Sequence, residues 1–570
     1  MADENKGLTP KAPGEMSMET RLLLAFLLMG VVMFLTPYFY PPQPPPDAKR
    51  TQEKTEAKTA AVAPAEAPAA EPASVVPVAG TVAAAQEETV VVETGLYRVE
   101  LSNRGAVVRS WKLKQYRDHA GNPVEFVYAK AAEKVGFPLS FTFRDKRPPV
   151  DLNQALFAVK TTEDGLGVEF EYSDGKVTAR KSLYFQKDRY LAEVRSEVGL
   201  GGVAIPHGLT WRGGFGDFTV PNPPPLQRAI YYETEAGKLR TYDHKHAKDG
   251  VTTDTGKFSF AGVEDTYFAA VFLPEANATI ALQTFSDLLP SAKDQEEVAH
   301  VGAAVGAVAG GNRFSFFVGP KDLDILREVN PKLEQVVDWG FFGFIAKPIF
   351  LAVHWLNESY IHNYGWSIII VTIVINMALF PLKLTSLKSA KKMQMLQPQI
   401  KAINDKYRNL SMRDPKRQQQ NQEVMALYQK HGVNPLGGCL PLLLQLPFLW
   451  AFYQVFTLAI EMRGASWLWV KDLSQPETIP IRVLPIAMIA TQFLLQKMTP
   501  AAGVDPTQQR MMLFMPLVFG FMFYGASSGL MLYWLTGNLV AIGQQWFFNK
   551  TAAAVPAAPP APERKKPVRK

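Results

Sequence analysis

The chain has 570 residues, enough for several domains, and carries a formal net charge of +7. Hydrophobic residues make up 47%, an ordinary globular share, so the placement of the apolar residues, not their total, separates a soluble chain from a membrane chain. The single cysteine, Cys439, excludes an intrachain disulfide and a cysteine-based zinc site, and the clustering of the basic residues favours anionic headgroups or RNA over an acidic small substrate.

Residues 1–21 form a short N-terminus, read as cytoplasmic. Leu22–Tyr40 is an apolar run preceded by Arg21. No A-x-A site follows it, and the chain continues into Pro41, Pro42, Pro44, Pro45 and Pro46, so the run is expected to be an uncleaved transmembrane anchor. Residues 41–88 are rich in Ala, Pro, Glu and Lys and cannot bury a core, which predicts a linker.

Residues 89–319 read as an all-β domain. Val168, Phe170 and Tyr172 alternate with Glu169 and Glu171, Asp174-Gly175 supplies a turn, and Val177 to Phe185 returns, a strong hairpin pattern. Short runs at Tyr97–Leu101, Val107–Leu113, Tyr190–Val194, Thr279–Thr284 and Phe314–Val318 predict a β-sandwich. Residues 331–363 mix Trp339, Phe341, Phe342, Phe344, Trp355 and Tyr360 with Lys347, His354 and Glu358, as expected of an amphipathic helix lying in a membrane interface.

Five apolar segments follow within residues 366–548: Trp366–Leu382, Leu436–Ile460, Ile481–Leu495, Met511–Tyr524 and Gly529–Phe548. Several fall short of the roughly 20 residues that cross a hydrocarbon core comfortably. They carry polar side chains at Thr372, Asn376, Gln445, Gln454, Thr491, Gln492, Thr536 and Asn538. With the anchor they predict six spans.

Between the first two of these segments, Lys383–Lys430 holds eleven Lys and Arg, among them Lys391, Lys392, Lys401, Lys406, Arg408, Arg413, Lys416 and Arg417, against Asp405, Asp414 and Glu423. The tail, residues 549–570, ends in Arg564, Lys565, Lys566, Arg569 and Lys570. The positive-inside rule places this loop and the tail in the cytoplasm, and counting back puts the N-terminus inside and the β domain outside. Met393, Leu396, Ile400, Ile403 and Tyr407 follow coiled-coil spacing, and Asp414-Pro415 suits the start of a second helix ending at Gly432, so residues 385–431 are expected to form a helical hairpin.

Gly365-Trp366-Ser367, Pro381-Leu382, Met395-Leu396-Gln397-Pro398 and Asn434-Pro435-Leu436-Gly437-Gly438-Cys439, with Pro441, Gln445 and Pro447, now define a pattern. Gln496-Lys497-Met498, Asp505-Pro506, Phe514-Met515-Pro516, Ser528-Gly529-Leu530, Leu532-Tyr533 and Asn538-Leu539 extend it. This set resembles the YidC/Oxa/Alb family of membrane insertases, and the N-terminal anchor and large β domain resemble its Gram-negative form. The resemblance implies an α-helical membrane core of five conserved transmembrane helices plus the anchor, and an all-β supersandwich in the periplasm, like a sugar mutarotase without known catalytic use.

The resemblance further implies an inner-membrane insertase and chaperone, not an enzyme, that acts through a hydrophilic groove. It works alone or with the Sec translocon, on nascent inner-membrane proteins. The groove residues implied are Thr372, Asn376, Lys383, Gln445, Gln492, Tyr533 and Trp534, and the basic hairpin and tail become contacts for the ribosome. The bilayer is a partner and DNA is not. Two positions depart from the family pattern: Asn376 stands where bacterial members carry a groove arginine, and Tyr533-Trp534 where two tyrosines are common.

A polytopic transporter or channel with a periplasmic binding domain is the rival reading. No Asp or Glu lies within the expected span cores, and no inverted repeat is visible. A metal site at His244 and His246 is the other rival, but two histidines in a Lys-rich loop read as solvent-exposed. No Walker A sequence or cofactor motif is present.

Overall fold

The computed structural model describes residues 80–551, apart from 119, 220–226, 245–251, 277, 291–296, 408–413, 415, 433–439 and 500–505. The expected anchor Leu22–Tyr40, the basic tail, His246, Arg408, Arg413 and Cys439 lie outside the described residues. The chain divides into two compact units. A β unit runs to Trp339 and also takes in Val455–Gly464, and a helical unit comprises Gly340–Gln454 and the residues from Ala465 onward.

In the β unit the expected hairpin forms from Gly167–Asp174 and Val177–Phe185. Gly175 takes φ +86° at the turn, a value glycine adopts without a steric cost. The Asp174 carboxylate accepts the amides of Lys176 and Val177 at 2.8 and 2.6 Å. Among the described residues this hairpin belongs to a fifteen-stranded sheet, and Thr89–Glu93, Tyr97–Ser102, Val107–Arg117 and Pro123–Glu125 form a second sheet of four strands. All the pairings are antiparallel. Trp111 joins the two sheets, its ring 5.9 Å from that of Phe316 and 6.4 Å from that of Trp211. Large aromatic rings of this kind supply most of the buried apolar area of such a core.

Three features of the β unit differ from expectation. Thr81–Val82, inside the stretch read as linker, pairs with Ser173 and Asp174. Two short helices accompany the strands: α1, Ala129–Val135, lies between them, and α2, Leu323–Val329, follows the last strand and is capped by the Asp322 carboxylate. Residues 455–464, mostly read as the end of a span, belong to this unit and bury Val455, Phe456, Ile460 and Met462. Arg463 in this segment forms a buried ion pair with Asp217, donates to the Arg117 carbonyl at 2.9 Å, and lies over the rings of Tyr267 and Phe268.

The stretch 331–363 is three elements rather than one helix. Pro331–Val336 is a 3₁₀ turn of the β unit, α3 spans Gly343–Leu356, and a wide turn at Asn357–Ile361 ends where His362 takes φ +52°. Helix α3 buries Ala346, Ile349, Phe350 and Val353 and exposes Phe344 and Trp355.

The first expected span breaks into α4, Tyr364–Ala378, and α5, Phe380–Met395, bent by 56°. Pro381 stands in the first turn of α5, where its missing N–H is tolerated but where it cannot continue α4. Helix α6 is Gln397–Lys406 and α7 is Lys416–Lys430. The expected coiled-coil seam is therefore interrupted at Leu396, where Pro398 starts a new helix, yet Met393, Leu396, Ile400 and Tyr428 still form one buried cluster. The Asp414 carboxylate accepts the Lys416 amide at 2.9 Å, and Gly432 takes φ +59° beyond α7.

The remaining helices are α8, Leu440–Leu458; α9, Val483–Met498; α10, Pro506–Met522; and α11, Ser528–Thr551. Among the described residues no single helix is long and apolar enough to cross a membrane, and the bent pair α4–α5 passes that test only together. The sixteen residues of α9 rise about 24 Å at 1.5 Å each, short of a hydrocarbon core of about 30 Å.

Candidate functional site

The expected groove residues Thr372 and Asn376 lie one turn apart on α4. Asn376 Nδ2 donates to the Thr372 carbonyl at 2.9 Å. Lys383 sits seven residues further on, across the break at Leu379, and its Nζ donates to Asn376 Oδ1 at 2.7 Å. The long lysine stem runs back along the apolar helices and carries its charged head to the amide.

The fourth member of this cluster comes from α11. Gln544 Nε2 donates to the Asn376 carbonyl at 3.1 Å. That carbonyl belongs to the last turn of α4, where helix ends leave acceptors unsatisfied. Among the described residues, two acceptors of the cluster, Thr372 Oγ1 and Gln544 Oε1, are buried without a hydrogen-bond partner. Buried polar atoms in this state mark places for water or for a polar guest. Gln544 is absent from the expected groove residues: it lies seven residues beyond Gly537, on the same helix face, but the approach of that face to Asn376, 3.9 Å from the Gly537 Cβ position to Nδ2, exists only in the folded chain.

The other expected residues are placed differently. Tyr533 and Trp534 are buried: Tyr533 stacks on Phe452 with centroids 3.9 Å apart, and Trp534 packs against Phe523 at 5.2 Å. Gln445 and Gln492 are half-buried on α8 and α9, and no hydrogen bond among the described residues joins either to the Asn376 cluster. Thr491 and Asn538 form a separate link between α9 and α11, with Asn538 Nδ2 donating to Thr491 Oγ1 at 3.2 Å.

On the hairpin, Lys392, Lys401 and Lys416 are exposed. Lys406 pairs with Glu423 at 2.6 Å, a carboxylate that also accepts the Tyr407 hydroxyl at 2.7 Å. These bonds hold the Lys406 ammonium above its usual range and the Glu423 carboxyl below its own. His244 is half-buried, and among the described residues no three His, Cys, Asp or Glu side chains cluster as metal ligands.

Two family models match successive parts of the chain. The family model for the YidC periplasmic domain matches residues 89–352, and that for the 60Kd inner membrane protein matches residues 355–554. A large antiparallel β unit followed by short apolar helices thus defines an inner membrane protein that carries a periplasmic domain. The membrane protein insertase YidC of Syntrophus aciditrophicus is 32% identical over 84% of this chain and 87% of its own, and that of Ralstonia nicotianae is 33% identical over 83% and 85%. The chain belongs to the YidC family of membrane protein insertases, whose activity is non-enzymatic. The crystal structure of an active YidC insertase with its first transmembrane domain resolved aligns over 92% of this chain and 99% of its own, at 19% identity and a TM-score of 0.35.

Proposed function

We propose that the helical unit inserts nascent membrane proteins through a hydrated groove centred on Asn376, with the Lys383 ammonium at its cytoplasmic mouth. The bond from Lys383 to Asn376 carries this reading, because it brings a positive charge to the position where the family pattern has a groove arginine. Thr372, Gln445, Gln492 and Gln544 line the groove with polar groups, and Tyr533 and Trp534 stiffen the helix that forms its wall.

A polar chain segment crossing hydrocarbon leaves each backbone group unsatisfied at a cost of several kcal/mol. The unpartnered Thr372 and Gln544 oxygens offer such a segment acceptors, and helices shorter than the hydrocarbon core thin the bilayer locally. No nucleotide is required for this step.

The five apolar segments, now α4–α5, α8, α9, α10 and α11, together with the anchor form the membrane core. The N- and C-termini are cytoplasmic and the β unit, a supersandwich, is periplasmic; the excess of basic residues between 383 and 430 supports this orientation. The exposed aromatics of α3 suit a helix lying in the interface. The exposed hairpin lysines and the Arg/Lys tail, Arg564 to Lys570, contact the ribosome, and larger substrates arrive with the Sec translocon.

The test is an insertion assay with an acidic-tailed substrate and the variants Lys383→Gln, Asn376→Leu and Gln544→Leu. The expected order of defect is Lys383→Gln first for acidic tails, with Asn376→Leu and Gln544→Leu impairing neutral tails as well. Parental insertion of the acidic substrate by Lys383→Gln refutes the charged mouth, and silence of all three variants refutes the groove position.

A further inference from the structure

The connection between α8 and α9 makes a tight two-residue turn at Trp467–Val470, closed by Trp467 N–H to Val470 O at 2.9 Å and Val470 N–H to Trp467 O at 2.8 Å. Its first central residue, Leu468, takes φ +48°. Turns of this kind favour Gly, Asn or Asp. A branched apolar residue there is strained, and the strain serves no internal packing: the Leu468 side chain is 66% exposed, and Trp469 beside it is also exposed.

The turn is braced from behind. The Trp467 ring lies against Gly365, whose Cβ position would sit 2.3 Å from the indole, and meets Trp366 edge-on at 5.6 Å. Asn363 caps α4 by accepting the Trp366 amide at 3.2 Å and donates to the Ser466 carbonyl at 3.0 Å. Trp469 Nε1 donates to Glu477, whose other oxygen accepts the Leu484 amide at 2.8 Å at the start of α9. Leu468 is thus held outward on a rigid base formed by the first turns of α4 and α9.

From that base an exposed apolar stripe runs down α4: Trp366, Ile370, Ile373, Val374 and Met377. The spacing keeps them on one helix face, and on the reading above that face meets lipid. The exposed turn continues the stripe at its upper end, with indoles at the level where tryptophans concentrate in membrane interfaces and Lys471, also exposed, just beyond.

We propose that the Trp467–Val470 turn is a lipid-seated wedge, with Leu468 and Trp469 inserted at the headgroup–acyl boundary of the leaflet that the N-terminal end of α4 faces. The partner is the phospholipid interface itself. This proposal rests on the bent pair α4–α5 spanning the membrane, and the experiment separates the two.

Full-length protein with Cys439→Ala carries an environment-sensitive fluorophore on Leu468→Cys, Lys471→Cys or Val374→Cys in phosphatidylethanolamine/phosphatidylglycerol proteoliposomes. The expected result is quenching at 468 by lipids spin-labelled near the headgroup, with several-fold less quenching by aqueous iodide than at 471. Iodide access at 468 with lipid quenching at 374 overturns the wedge and leaves the spanning reading intact. Iodide access at both positions overturns both. Shielding at 468 from iodide and lipid alike means a protein covers the turn, which also overturns the proposal.

Discussion

Asp217→Ala is expected to destabilise the β unit sharply. The Asp217 side chain is 2% exposed and that of Arg463 8%. Removing the carboxylate leaves the guanidinium buried with the Arg117 carbonyl and two aromatic faces. Its Nη1 already has no partner among the described residues. Breaking one side of a buried pair costs about 3–5 kcal/mol, and at about 2–4 °C per kcal/mol for a unit of this size the melting temperature falls by roughly 6–20 °C.

Part of that loss belongs to Thr219, whose amide and hydroxyl donate to Asp217 at 2.8 and 2.6 Å. A double-mutant cycle with Arg463→Met isolates the pair. The double variant Asp217→Ala/Arg463→Met is expected to recover much of the loss, because an apolar replacement leaves no orphaned charge. The measurements are thermal melts of the full-length protein in nanodiscs and hydrogen exchange over Val455–Gly464. Singles that each shift the melt by less than about 2 °C, or strictly additive variants, refute the reasoning.

Two further outcomes are expected. The Glu461 carboxyl is pushed up to about 8 from 4.5 by desolvation and by the Asp322 and Asp324 carboxylates. The folded state therefore holds a proton that the unfolded state has lost, and stability falls as pH rises from about 4.5 to about 8. Glu461→Gln flattens melts between pH 6.5 and 8, above the value of about 6 to which burial raises Asp265; an unchanged slope refutes the assignment. Gly365→Ala places a Cβ 2.3 Å from Trp467 and is expected to cost about 1–3 kcal/mol by overpacking, seen as lower accumulation in membranes and a lower melt, with Trp467→Ala restoring much of it.

Local pattern was enough for much of this protein. The two-residue alternation of Val168, Phe170 and Tyr172 and the Asp174-Gly175 turn determined a hairpin, because strand faces and turn geometry depend on neighbours in sequence. The five apolar segments, the excess of basic residues after Leu382 and the family motifs were legible for the same reason. The seven-residue spacing of Asn376 and Lys383 likewise put the two on one side of one stretch of chain, where they hydrogen-bond.

What the pattern could not contain is which distant groups meet. Lys181 occupies an inward position of a strand otherwise buried by Val177, Ala179, Leu183 and Phe185. The carbonyls of Gly105, Ala106 and Leu139, at 3.4, 2.8 and 2.6 Å, and the Phe141 ring explain how a lysine rests there. Gln544 joins Asn376 across 168 residues, and Arg463 finds Asp217 across 246. Periodicity assigns a side chain to a face of its own element, whereas the partner that satisfies a buried charge or amide is chosen by how the elements pack. The tertiary structure alone therefore decided the polar cluster around Asn376, the membership of Val455–Gly464 in the β unit, and the outward Leu468 turn.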